Sequence, residues 1–170
     1  MAETNLPSTP ADGNIKTVLV PAVADLKAPK LAECNASTAL DISCYLTKGG
    51  WNFGLEQATI SDERECDTTV RNEPGVKTPS LQITGIDNTN TAYAATANKL
   101  VETLTEKSEW VAIRRRGKPH TVPFASGDKV EAVRFRVGVR TSVAAETNSV
   151  IKSTWNCFAS GAEPDAAIAA

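Results

Sequence analysis

Lys129-Val130-Glu131-Ala132-Val133-Arg134-Phe135-Arg136-Val137-Gly138-Val139-Arg140-Thr141 is the stretch on which the fold turns. Val133, Phe135, Val137 and Val139 alternate with Arg134, Arg136, Gly138 and Arg140. Residues two apart on an extended chain share a face, so the segment predicts a strand with an apolar core face and an arginine stripe on the other.

Downstream, residues 149–158 alternate less cleanly, with Ile151, Trp155 and Cys157 on one side and Lys152, Thr154 and Asn156 on the other. The two segments are expected to pair as antiparallel neighbours. Upstream, short extended segments at 17–20, 40–46, 51–60, 66–71, 80–86 and 109–115 are punctuated by Gly, Pro and Asn or Asp, the pattern of a strand-and-turn chain. Gly49-Gly50 before Trp51 suits a sharp turn or bulge.

One segment departs from this pattern. Tyr93, Ala97, Leu100, Val101 and Leu104 recur at helical spacing. Asn88 or Asn90 would cap that helix, and Lys99, Glu102, Thr103 and Glu106 would fall mostly on its wet side. The expected order is five strands, a helix and three strands.

The fold class that follows is mainly β, a β-sandwich or barrel with one flanking α-helix, because open sheet edges need closure or cover. A second copy of the chain could supply that cover. Residues 1–14 are expected to form a flexible N-terminal arm, 15–158 a single β-sandwich domain, and 159–170, small and weakly polar, a flexible C-terminal tail. No internal repeat or linker divides the middle of the chain.

At 170 residues, 41% of them hydrophobic, the chain is long enough to bury a sizeable core. Eighteen Lys and Arg against 20 Asp and Glu leave a net charge of -2, which argues against a protein that wraps nucleic acid by bulk electrostatics. The start, Met1-Ala2-Glu3-Thr4-Asn5-Leu6-Pro7, has neither a basic beginning nor an apolar run, and no stretch has the composition of a membrane span. The chain is therefore expected to fold in a cytoplasm and to have no membrane partner.

Cys34, Cys44, Cys66 and Cys157 form no CxxC pair and have no neighbouring His, so no metal is expected. A reducing compartment leaves them as thiols, mostly small buried hydrophobes, with disulfides formed later outside a cell as the alternative. His120, the one histidine, lies in the turn-rich Gly117-Lys118-Pro119-His120-Thr121-Val122-Pro123. A nucleophilic pair would need Cys66 or Cys157 folded against it, and no local signature announces that.

Phosphate-loop, dinucleotide, nucleophile-elbow, zinc-protease and EF-hand signatures are all absent. Asp41, Asp62, Glu63, Glu65 and Asp67 are not spaced as a general acid/base pair. Asn35-Ala36-Ser37 fits a glycosylation sequon and reads as incidental. No catalytic residue, cofactor or enzyme activity is expected.

Two charged runs stand out: acidic Ser61-Asp62-Glu63-Arg64-Glu65-Cys66-Asp67 and basic Arg114-Arg115-Arg116-Gly117-Lys118. They read either as two solvated loops or as surfaces that meet between copies.

The stretch Leu40-Asp41-Ile42-Ser43-Cys44-Tyr45-Leu46-Thr47-Lys48-Gly49-Gly50-Trp51-Asn52-Phe53, followed by Gln57-Ala58-Thr59-Ile60-Ser61-Asp62-Glu63-Arg64-Glu65-Cys66, resembles the major tail tube proteins of long, non-contractile-tailed bacteriophages (siphoviruses), particularly those of actinobacteria. The resemblance implies a structural virion protein that self-assembles into hexameric rings, stacked as a tail tube in the host cytoplasm. Genome ejection would then run through the lumen. It implies as partners the chain itself, a tape measure protein, a tail terminator and tail tip proteins, with phage DNA passing unbound.

On that footing Arg114, Arg115, Arg116 and Lys118 are expected in a loop at a subunit or ring-to-ring contact, facing Asp62, Glu63 and Glu65 of a neighbour. Both chain ends would order on assembly. The alternatives are a tail terminator or other ring-forming tail protein of the same fold, and a β-sandwich ligand-binding module presenting exposed aromatics.

Overall fold

The computed structural model describes residues 6–66 and 68–170. Its elements run β1 (Ile15–Val20), α1 (Leu31–Cys34), β2 (Leu40–Asp41), β3 (Leu46–Asp62), β4 (Arg71–Ile86), α2 (Lys99–Thr103), β5 (Glu109–Arg116), β6 (Lys129–Ser142) and β7 (Lys152–Ala167). The strands form one seven-stranded sheet in the order β2-β1-β5-β6-β7-β4-β3, and every pairing is antiparallel.

The two edge strands are consecutive in the chain, and this forces the sheet to curl. In a flat sheet of this order the edges would lie about 29 Å apart. The short link from Asp41 to Leu46 spans no more than about 18 Å. The link is itself bonded across the gap: the Ile42 amide donates to the Thr17 carbonyl at 2.9 Å, and the Tyr45 carbonyl accepts from the Ile86 amide at 2.9 Å.

Inside the curl lies a core of Leu19, Ile42, Ile83, Leu100, Phe135 and Trp155, drawn from both ends of the sheet. A second cluster, with Val18, Val20, Ile113, Phe124 and Ile168, lies on the opposite face of β1, β5 and β6. Neighbouring residues such as Val18 and Leu19, or Ala112 and Ile113, therefore serve different cores. This explains the unbroken apolar runs Val18-Leu19-Val20 in β1 and Trp110-Val111-Ala112-Ile113 in β5, which do not alternate.

The strong alternation of β6 holds from Val133 to Val137, all inward, with Arg134 and Arg136 exposed. A bulge then intervenes between Val137 and Arg140 in the pairing with β7. The extra residue reverses the alternation, so Val139 is 59% exposed and Arg140 reaches Asp87 instead. Pairing of β6 with β7 is as expected, but β7 begins at Lys152 and leaves Ile151 exposed.

Three expectations need correction. The helix is five residues long, and Tyr93 is 66% exposed. Asn88 does not cap it; its side-chain Nδ2 donates to the Ala97 carbonyl at 2.8 Å, and the Asn98 side-chain oxygen accepts from the Asn88 backbone N–H at 3.0 Å. Side chains that satisfy the backbone in this way compete with a helix. Of the strand expected at 66–71, Cys66 and residues 68–70 belong to the connection between β3 and β4, Arg71 opens β4, and Asp67 lies outside the described residues.

The tail expected to be loose at 159–170 is instead strand and cover. Val130 pairs with Ala166, Ile168 is 2% exposed, and the Ala169 carbonyl accepts from the Leu31 amide at 3.0 Å. Small side chains carry no periodic signal, yet ladder hydrogen bonds do not need one. Of the expected N-terminal arm, residues 1–5 lie outside the described residues, and residues 6–13 are exposed without strand or helix.

Candidate assembly surface

Strand β4 finds a third strand, β7, only from Leu81 to Ile86. Beyond that, β3 and β4 pair with each other alone, from Leu55 opposite Pro79 to Asp62 opposite Arg71. The result is a two-stranded arm about 23 Å long. Residues 56–61 are all exposed, as are 71–78 apart from Gly75. Ile60 and Val76 present 54% and 76% of their surface. An isolated two-stranded ribbon is marginal in water, and β3 is also a long, proline-free sheet edge, open to pairing with another chain.

At the tip of the arm, Asp62 accepts two hydrogen bonds from Arg64, at 2.9 and 3.1 Å. Glu63 and Glu65 are exposed and have no ion pair among the described residues. Cys66 beside them is an exposed free thiol.

The basic run occupies a different setting from the one expected. Arg114, Arg115 and Arg116 are on β5, not in a loop. Arg115 is 2% exposed, bonds Asp128 at 2.9 Å and donates to the carbonyls of Val122, Pro123 and Pro119. It pins the 117–128 loop onto the sheet, stacked 5.3 Å from the Phe124 ring, and cannot reach a neighbouring molecule. Asp128 also takes Lys118. Burial alone would raise the Asp128 carboxyl, but bonds from Lys118, Arg115 and the Ala125 amide outweigh it and hold the group at about 2.

Arg116 is exposed and pairs with Glu131 at 3.2 Å. Arg114 is the exception, with no carboxylate ion pair among the described residues. It donates to the Thr17 hydroxyl at 2.8 Å and lies 5.4 Å over the Trp51 ring, while its Nε is buried without a partner. Burial pushes its pKa down to about 10. Trp51 in turn donates to Glu131 at 2.9 Å.

Arg114 and Trp51 line a cleft of about 430 Å³ together with Ser43, Cys44, Lys48 and His120. The Cys44 Sγ is 3.8 Å from His120 Nε2, whose Nδ1 is 3.4 Å from the Gly13 carbonyl. Neither cysteine considered from the sequence meets His120: Cys66 is at the arm tip, and Cys157 is in the core, where burial pushes its thiol up to about 12. Two of the four thiols, Cys34 and Cys157, are buried as expected; Cys44 and Cys66 are not.

Where β4 lies between β3 and β7, two rows of outward side chains are polar and uncharged. Asn52, Gln82 and Asn156 form one row across the three strands, with Gln82 donating to Asn156 at 3.0 Å. Thr84 and Thr154 form the next row, their hydroxyls 2.8 Å apart. No helix among the described residues is long and apolar enough to cross a membrane.

A family model described as phage tail tube protein matches residues 1–170. No curated protein matches. Among solved structures, a chain of the six-fold symmetrised cryo-EM structure of the anti-feeding prophage baseplate is similar, with a TM-score of 0.52 at 8% identity. The likeness covers 93% of this chain and 96% of that one.

Proposed function

Since the chain belongs to the phage tail tube protein family, and is a tail structural protein in that sense, we propose that its copies close into six-membered rings that stack as the tail tube of a virion. The genome leaves through the lumen. The arm carries this reading: residues 55–62 and 71–79 form a ribbon that lacks a third strand within its own subunit, and a neighbouring copy supplies what a lone ribbon lacks. Six-fold order is the symmetry of the baseplate structure to which the fold is similar.

The uncharged face of Asn52, Gln82, Thr84, Thr154 and Asn156 suits a wall past which phosphates slide, because neutralising them would hold the DNA in place. Assembly takes place in the host cytoplasm, with tape measure, terminator and tip proteins at the tube's core and ends. The siphovirus type of tail belongs to the same proposal.

The test replaces residues 57–77 with Asn-Gly. Glu56 and Thr78 are already paired, so a two-residue turn closes the shortened hairpin. Electron microscopy of the concentrated parent protein should show hollow tubes or stacked rings. The shortened variant should melt as before and remain unassembled. Normal tubes from it, or a parent that stays monomeric with its arm amides protected, would overturn the proposal.

A further inference from the structure

We propose that the cleft over Arg114 receives the acidic arm tip, Glu63 to Glu65, of a second copy. This deepens the assembly reading above and rests on it. Within the basic run, Arg115 and Lys118 share Asp128 and Arg116 holds Glu131, which leaves Arg114 as the cation without an ion pair of its own among the described residues, its cross-strand neighbour Glu131 being taken by Arg116 and Trp51. Arg114 stands in a wall that also presents His120 and Lys48, the latter paired with Asp12 at 3.1 Å. At the far end of the same molecule, Glu63 and Glu65 are carboxylates without cations among the described residues.

The two features cannot meet within one subunit. Trp51 lines the cleft and Asp62 begins the tip, and eleven residue steps of extended β3 keep them about 35 Å apart. The tip therefore serves another copy. A knob at one end of a molecule and a socket at the other make a head-to-tail contact, which propagates as a ring or a stack. A charged hydrogen bond in such a socket fixes register as well as adding affinity.

The chain carries its own reporters. Cys44 lines the cleft and Cys66 follows Glu65, and both are exposed thiols. A short bis-maleimide applied to the concentrated protein should join Cys66 of one copy to Cys44 of the next and produce a ladder of covalent multimers. Cys44→Ser and Cys66→Ser should each abolish the ladder.

Arg114→Gln, checked for an unchanged melting temperature, should raise the concentration needed for assembly by at least about tenfold. Glu63→Gln with Glu65→Gln should do the same, and the combination should be little worse than either. Tubes that form without a Cys44-dependent ladder would overturn the socket while leaving the tube reading intact. A ladder that survives Cys44→Ser, or Arg114→Gln tubes at the parental concentration, would overturn it as well.

Discussion

Arg115 Nη1 lies 2.9 Å from Asp128 Oδ2, with 2% and 4% of the two side chains exposed. The pair ties β5 to the loop that follows it, and three carbonyls accept from the two terminal nitrogens of the guanidinium, while its Nε is buried without a partner. Asp128→Ala would leave a buried cation without its counter-charge and is expected to cost about 3 kcal/mol or more. Arg116→Ala removes an exposed partner and should cost less than about 1 kcal/mol. Urea unfolding of both variants makes the comparison.

The same pair sets an acid limit. The folded Asp128 carboxyl sits at about 2, below its ordinary value of 3.8. A lowered folded pKa means stability that is fully present above the unfolded value and lost as pH falls through the folded one. Stability should therefore drop between about pH 4 and pH 2, with Asp41 and Asp87, also lowered, adding to the slope. In Asp128→Asn the slope over that window should flatten, as denaturant midpoints taken across it would show.

The β6 bulge requires a residue without a side chain. A Cβ at Gly138 would run into the Asn156 carbonyl oxygen and the Phe158 ring. Gly138→Ala is expected to lower stability by about 2 kcal/mol or more, because a backbone carbonyl in a ladder cannot step aside. Calorimetric melting reads this directly.

That bulge also marks how far the sequence could be read. Period-two spacing placed Val133, Phe135 and Val137 in the core, and β6 with β7 as neighbours, because local alternation reflects a local face. Val139 was legible only up to the bulge, which depends on how β7 lies alongside. The 93–104 spacing suggested a longer helix than the Asn88 and Asn98 side chains permit. At the candidate assembly surface, the acidic run at the arm tip is visible in the sequence as a cluster of like charge. The basic run could not be divided in this way, because Asp128 and Glu131 reach it through the fold.

Thiol chemistry should divide the cysteines two and two. Cys44 and Cys66 are exposed, whereas burial raises Cys34 to about 11 and Cys157 to about 12. A disulfide reagent at neutral pH should titrate two thiols rapidly in the folded protein and the remaining two only in denaturant. Four fast thiols would contradict the packing around Cys34 and Cys157.

Amide exchange should report the arm. In the unassembled protein, amides of 56–61 and 72–78 should exchange far faster than those of Leu81 or Ile83, which sit between two strands. On assembly the arm amides should become protected. Equal protection of arm and core amides in the monomer would contradict a ribbon without support.

The short link between the two sheet edges has a kinetic consequence. Until β5 leaves the ribosome, β1 has only the two residues of β2 beside it, and β4 lacks β7. Pairings such as Val18 with Ile113 and Ile83 with Trp155 join residues far apart in the chain, which makes folding slow and late. The arm hairpin, by contrast, can zip as soon as it is made. A nascent chain thus displays an exposed edge before it has a finished body, and its safety from premature association depends on synthesis outpacing encounter.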